Sequence, residues 1–146
     1  MLRFVRTNII EMKRRIATIF AAMAAMCGCG TSKYVTYTPD DFQTLLSEPG
    51  MQLVDVRTDE EYEEGHIAGA VNYDVYAEDF IDRCTVALDK ARPVAVYCRS
   101  GKRSANAAMQ LKKAGFKRVL NLDGGIMGWI DAGKAVVSPA SPSGNN

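Results

Sequence analysis

Several things are scarce in this sequence, and each scarcity closes off a class of function. It carries a single histidine, His66, and its four cysteines form no C-x-x-C pair and no Cys/His ligand cluster. A structural zinc site therefore has too few ligands, and no metal or other cofactor is expected. Charge of one sign is also in short supply: 18 Lys and Arg against 17 Asp and Glu leave a formal net charge of +1. No broad basic footprint results, so nucleic acid is excluded as a partner. The most apolar stretch, residues 16–26, is about 11 long where a membrane-crossing helix needs about 20.

What is present is an ordinary globular balance, 47% hydrophobic and 24% charged over 146 residues. That length suits one domain with tails, and the composition argues against disordered, collagenous or many-span chains. Basic residues cluster locally at Lys13, Arg14 and Arg15, across 99–103 and across 112–118. The plain reading of such clusters is a solvated face.

Residues 1–33 read as a leader and short linker rather than fold material. The basic triplet, the uncharged run 16–26 and the small residues Gly28 and Gly30 have a secretory signal layout. Met12, directly before the triplet, suggests an alternative start. Met26-Cys27-Gly28-Cys29-Gly30 resembles a bacterial lipoprotein signal, with Cys29 after Gly28 the best lipidation site and Cys27 a poorer one. An ordinary cleaved signal and a buried core helix are the other readings. Lipidation at Cys29 would anchor the protein to the bacterial cell envelope, facing the periplasm or the surface, and would be its only membrane contact.

The segment 34–137 alternates strands and helices. Strands are expected at 34–37, 51–56, 70–73, 93–97 and 119–122, with helices over 39–47, 59–64, 77–88 and 104–114. Thr38 and Thr58 are capping residues; Pro39 suits a first helical turn, and Glu61 sits three residues after Thr58. Such alternation implies an α/β domain with a mostly parallel central sheet covered by helices on both faces. Residues 138–146 are Ser, Pro, Gly and Asn-rich and are expected to form a disordered tail.

The chemistry concentrates at Cys98. A buried strand runs into Cys98-Arg99-Ser100-Gly101-Lys102-Arg103 and then into a helix, which places a thiol among the amides of a helix N-terminus. Arg99, Lys102 and Arg103 add positive charge, and both effects should lower the thiol pKa. Gly101 lets the loop turn tightly. The expected product is a small, exposed site with a poised sulfur nucleophile.

Residues 34–137 resemble a single rhodanese domain of the sulfurtransferase family. The motifs are Asp55-Val56-Arg57, then Glu60-Glu61-Tyr62 leading to the 65–72 segment Gly-His-Ile-Ala-Gly-Ala-Val-Asn, the Cys98 loop, and Leu122-Asp123-Gly124-Gly125 with Trp129. The resemblance implies that Cys98 attacks the outer sulfur of a small anionic donor such as thiosulfate. Sulfite leaves, and the persulfide passes its sulfur to a thiophilic acceptor, cyanide or a cellular thiol, including a protein thiol. Amides of 99–103, including Ser100 and Gly101, would cradle the persulfide.

A related phosphatase or arsenate-reductase loop has C-x5-R spacing. Here the sixth residue after Cys98 is Ser104 and Arg103 comes one position early, so the cradle suits sulfur better. A catalytically weak binding or redox-sensing module with the same fold is the other function class. Asp55 and Arg57 read as supports of the loop, His66 as a structural histidine in a turn, Cys84 and Trp129 as core, and Lys112, Lys113, Lys117 and Arg118 as solvated charges.

Overall fold

In the computed structural model of the chain, residues 33–139 are described. The expected leader with Cys27 and Cys29, and residues 140–146 of the expected tail, lie outside them. No helix among the described residues is long and apolar enough to cross a membrane.

Five strands carry the fold: β1 (Val35–Tyr37), β2 (Gln52–Asp55), β3 (Val71–Asn72), β4 (Val94–Tyr97) and β5 (Val119–Leu122). They pair in the order β1-β5-β4-β2-β3, every pair parallel. Parallel neighbours need crossover connections, and the helices supply them. These are α1 (Pro39–Leu46), α2 (Asp59–Glu64), α3 (Phe80–Ala87), α4 (Lys102–Lys113) and α5 (Gly125–Asp131). The α/β class expected from the alternation is the one observed.

Local chemistry explains where the helices start. Thr38 Oγ1 accepts the Asp41 amide at 3.3 Å with Pro39 behind it in the first turn. Thr58 and Glu61 form a reciprocal capping box, each side chain accepting the other's amide at 3.3 and 3.1 Å. Two of these helix starts differ from expectation. Helix α3 begins at Phe80 rather than 77, because Ala77 and Phe80 amides close turns on Asp74 and Ala77 carbonyls first. Helix α4 begins at Lys102 rather than 104, directly after Gly101 at φ +98°.

The central strand β4 is buried on both sides, so its side chains alternate between two packed layers. Val94, Val96 and Cys98 join the layer that includes Phe80, Cys84, Ala107, Ala108 and Leu111 of α3 and α4. Ala95 and Tyr97 face the opposite layer, with Phe42 of α1 and Ile126 and Trp129 of α5. This parity fixes the direction of the Cys98 side chain: it leaves the strand toward α3 and α4.

Trp129 is core as expected, edge-on to Phe42 at 6.4 Å, with its indole N–H donating to the Ala135 carbonyl at 3.0 Å. Past α5 the chain returns to the sheet end, where Val137 bridges antiparallel to His66. Ser138, assigned to the tail from sequence, donates its hydroxyl to the Glu64 carbonyl at 3.1 Å.

Candidate active site

The end of β4 delivers Cys98 to a loop that turns at once into α4. Two donors converge on its sulfur: the Gly101 amide at 3.1 Å and the Ser104 hydroxyl at 3.4 Å. Burial by itself would raise the thiol pKa. Hydrogen bonds from the Ser104 hydroxyl and from the amides of Ser104, Gly101 and Ser100 outweigh it and hold Cys98 below its ordinary value. The expectation of a lowered pKa therefore agrees with the geometry, but its main cause differs. Hydrogen bonds, rather than the charges of the loop's basic residues, do most of the lowering.

Those basic residues take separate places. Arg103 is engaged by Glu61 of α2 through two parallel contacts of 2.7 Å, one to each carboxylate oxygen. Its hydrogen bonds to Glu61 raise its pKa, the Cys98 charge adds a smaller push the same way, and its guanidinium lies 5.7 Å over the Tyr76 ring. Arg99 and Lys102 are exposed and have no ion-pair partner among the described residues. Ser100, also exposed, contributes its amide. Arg103 is thus the loop's anchored cation, and Arg99 and Lys102 are its two outward-facing ones.

The sequence marks Glu61 as a capping residue and as part of the Glu60-Glu61-Tyr62 motif, not as a partner of Arg103. Its carboxylate also accepts from the Arg103 fork, which pulls its pKa down to about 2, with the Thr58 amide helping. The pair ties α2 to the Cys98 loop across 42 positions of chain, a separation that no local pattern reports.

Asp55 and Arg57, expected to support the loop, engage each other and the 65–72 segment instead. Arg57 Nη2 meets Asp55 Oδ2 at 2.7 Å and donates to the Gly65 carbonyl at 2.6 Å. Asn72 Nδ2 donates to the carbonyls of both residues. Their hydrogen bonds bind the end of β2 to the 65–72 segment rather than to residues 98–103. Strand parity is the reason: Arg57 lies 5.9 Å over the Tyr97 ring, on the sheet face opposite the Cys98 side chain. His66 sits in the same segment, stacked on Tyr62 at 3.8 Å with Nδ1 3.0 Å from the Tyr62 carbonyl, a structural arrangement.

The opposite side of the loop is closed by Gly124 and Gly125 at the start of α5. Ile126 and Met127 amides donate to the Cys98 and Arg99 carbonyls at 2.9 and 3.2 Å. A Cβ on Gly125, whose φ is +60°, would sit 2.5 Å from Cys98 O and from Arg99 C and O. Only glycine permits that approach. Helix α5 is not among the elements expected from sequence, because a helix that opens on Gly125 after Gly124 and contains Gly128 lacks the usual propensity.

Access is the point on which expectation and structure part. Cys98 has no exposed surface, whereas the loop reads from sequence as an exposed site. Beside the loop lies a hollow of about 360 Å³ lined by Arg57, Glu61, Arg99, Ile126, Met127 and Ile130 among others.

A parallel α/β sheet that ends its central strand in a cysteine held at a helix start defines a cysteine-loop domain whose hydrogen-bond donors favour the anionic form of the sulfur. Residues 38–132 match the rhodanese-like domain. A sulfurtransferase of Allochromatium vinosum is 38% identical over 97 residues, 66% of this chain and 88% of that protein. Thiosulfate sulfurtransferase 18 of Arabidopsis thaliana is 36% identical over 100 residues, 61% of this chain and 73% of that protein. Among solved structures, the rhodanese-like domain of an Anabaena protein superimposes with a TM-score of 0.65 at 29% identity, covering 76% of this chain and 86% of that one. The chain belongs to the rhodanese-like domain family, and its sheet and helices form the rhodanese fold.

Proposed function

We propose that the protein is a sulfurtransferase that carries sulfur as a Cys98 persulfide. The observation that carries the reading is the cradle itself: the Gly101 amide and the Ser104 hydroxyl converge on a single sulfur in a family whose relatives include sulfurtransferases. In the first step the Cys98 thiolate attacks the outer sulfur of thiosulfate. The Sγ–S bond forms, the sulfur–sulfur bond of the donor breaks, and sulfite leaves with the electron pair. In the second step cyanide or a thiolate attacks the outer sulfur of the persulfide, and Sγ takes back the pair as thiolate. Arg99 and Lys102 draw the anionic donor to the loop, while the amides of residues 99–103 hold the persulfide.

Arg103, bound to Glu61, orients the loop, and Asp55 with Arg57 fixes the neighbouring segment against the end of β2. A phosphatase or arsenate-reductase role is disfavoured by Ser104 at the sixth position and by the engagement of Arg103. Lipidation at Cys29 would tether this chemistry to the cell envelope; intact mass of the N-terminal peptide after expression in a bacterial host, shifted by acyl chains or not, decides that point.

The decisive experiment is intact mass after thiosulfate treatment. A gain of about 32 Da, one sulfur atom, on Cys98 that cyanide removes as thiocyanate is expected. No gain, or the same gain in Cys98→Ala, removes the assignment. The full covering of Cys98 is what favours the alternative of a binding or redox-sensing module; that module would load at best once and show no turnover.

A further inference from the structure

Ser104 does not belong to the loop by sequence position, yet its hydroxyl lies against the reacting atom. The residue has no exposed surface, and its Oγ is 3.4 Å from Cys98 Sγ and 3.2 Å from the Gly101 carbonyl oxygen. A hydroxyl has one hydrogen, so Ser104 serves one of these two acceptors at a time. The Gly101 carbonyl also accepts the Ala105 amide at 3.1 Å and stays satisfied when the hydroxyl turns away.

We propose that Ser104 is a catalytic residue of the discharge step, moving its hydrogen bond from the Gly101 carbonyl to Cys98 Sγ as the outer sulfur departs. The discharge step rests on the persulfide reading above. In the persulfide, Sγ is bonded to a second sulfur, carries little charge and accepts poorly, so the hydroxyl donates to Gly101. When an acceptor takes the outer sulfur, the Sγ–S bond breaks, the electron pair returns to Sγ, and the hydroxyl swings to the new thiolate. Its contribution is then made where charge develops, which is the kind of interaction that speeds a step rather than tightening a ground state. The proton stays on Ser104 throughout. Two other charges bear on the same sulfur: Arg103 acts on it through its charge, and Glu61 balances Arg103. Both remain in place when Ser104 is changed.

The test compares the wild-type protein with Ser104→Ala and Ser104→Thr in two assays. In the first, thiolate absorbance is followed against pH in the sulfur-free protein. In the second, protein preloaded with thiosulfate is mixed with cyanide, and the single-turnover release of thiocyanate is timed. Ser104→Ala should raise the thiol midpoint and slow discharge by about tenfold or more, the weight of one hydrogen bond to a charged acceptor. Ser104→Thr, which restores a hydroxyl, should recover both. Discharge unchanged in a folded Ser104→Ala overturns the proposal, whatever the midpoint does. If Ser104→Ala does not fold, Ser104→Gly also removes the hydroxyl without adding a second thiol, and its discharge is timed in the same way. Failure of the wild-type protein to load sulfur would sink the transferase reading instead, and the midpoint assay, which needs no turnover, would still report whether Ser104 holds the thiolate.

Discussion

Cys84 and Cys98 lie in the same packed layer, both without exposed surface, yet the fold treats their sulfurs in opposite ways. Cys84 is on the inner side of α3 among apolar neighbours, and burial pushes its thiol up to about 12. Cys98 suffers the same burial penalty but stands where a strand runs into a helix N-terminus, and converging amides and a hydroxyl reverse the sign. Removal from water therefore does not decide the state of a thiol; the count of donors facing it does.

The comparison breaks most directly on activity. Cys98→Ala should abolish sulfur transfer, a loss of about 1,000-fold or more in thiocyanate formation, since the covalent carrier is gone. Cys84→Ala should keep the rate within about twofold and cost roughly 1–2 kcal/mol in denaturant unfolding, from the small cavity it leaves. A large activity loss in Cys84→Ala with stability intact would mean the second thiol takes part.

Next comes the contact that closes the loop from behind. Gly125→Ala puts a methyl 2.5 Å from the Cys98 and Arg99 backbone at a positive φ that alanine resists. We expect a stability loss of about 2–4 kcal/mol and a loss of Cys98 reactivity. Gly133→Ala also sits at positive φ but meets nothing within 4 Å, so it isolates the backbone cost from the clash.

How much of this was legible in the sequence follows from the range over which each feature is encoded. Cys98, its loop and the start of α4 are contiguous, so strand, turn glycine and helix could be read together, and the parallel α/β class followed from the alternation of elements. Thr58 with Glu61 is equally local. The second role of Glu61, on Arg103, and the packing of Gly125 on Cys98 join residues that only the fold brings together. Helix α5 was hidden by glycines whose purpose is close approach rather than helix formation. The placement of Asp55 and Arg57 away from the Cys98 sulfur turns on strand parity, and the covering of Cys98 is likewise a matter of packing.

The two thiols also separate by pH, with opposite signs. Both have an ordinary value of 9.0. For Cys98, lowered in the fold, the native state loses its proton first. Its stabilising contribution is present above pH 9 and is lost as pH falls through the folded value. For Cys84, raised to about 12, the unfolded chain ionises first, so the contribution is present below pH 9 and is lost as pH rises toward 12. Unfolding midpoints measured from pH 7 to 11 should therefore fall less steeply in Cys84→Ala than in the wild type. Iodoacetamide should modify Cys98 in native protein and Cys84 only in denaturant. Equal native labelling of both would erase the distinction.

A smaller effect is expected where the loop is tied to α2. Glu61→Gln removes the charge that holds Arg103 while leaving a polar side chain of the same length. The Arg103 fork is released beside the Cys98 charge. Activity should fall several-fold through a displaced loop, with a stability cost of about 1 kcal/mol or less for a pair that is partly exposed. An unchanged rate would show that the amide cradle keeps its shape without the tie.

The smallest effect should come from the same ion-pair geometry placed elsewhere. Arg118 and Glu48 also meet at 2.7 Å, but their side chains are 45% and 40% exposed, against 18% and 27% for Arg103 and Glu61. Solvent screens such a pair, and ordering two long side chains offsets much of what remains. Arg118→Ala should change unfolding free energy by less than about 0.5 kcal/mol and leave thiocyanate formation unaltered. Arg118 is part of the basic run 112–118 read from sequence as solvated, and an activity loss in this variant would instead place that face in donor or acceptor docking. Comparing the two variants under rising salt sharpens the point: Glu61→Gln should stay impaired at high salt, because its effect passes through the position of the Cys98 loop rather than through screened surface charge.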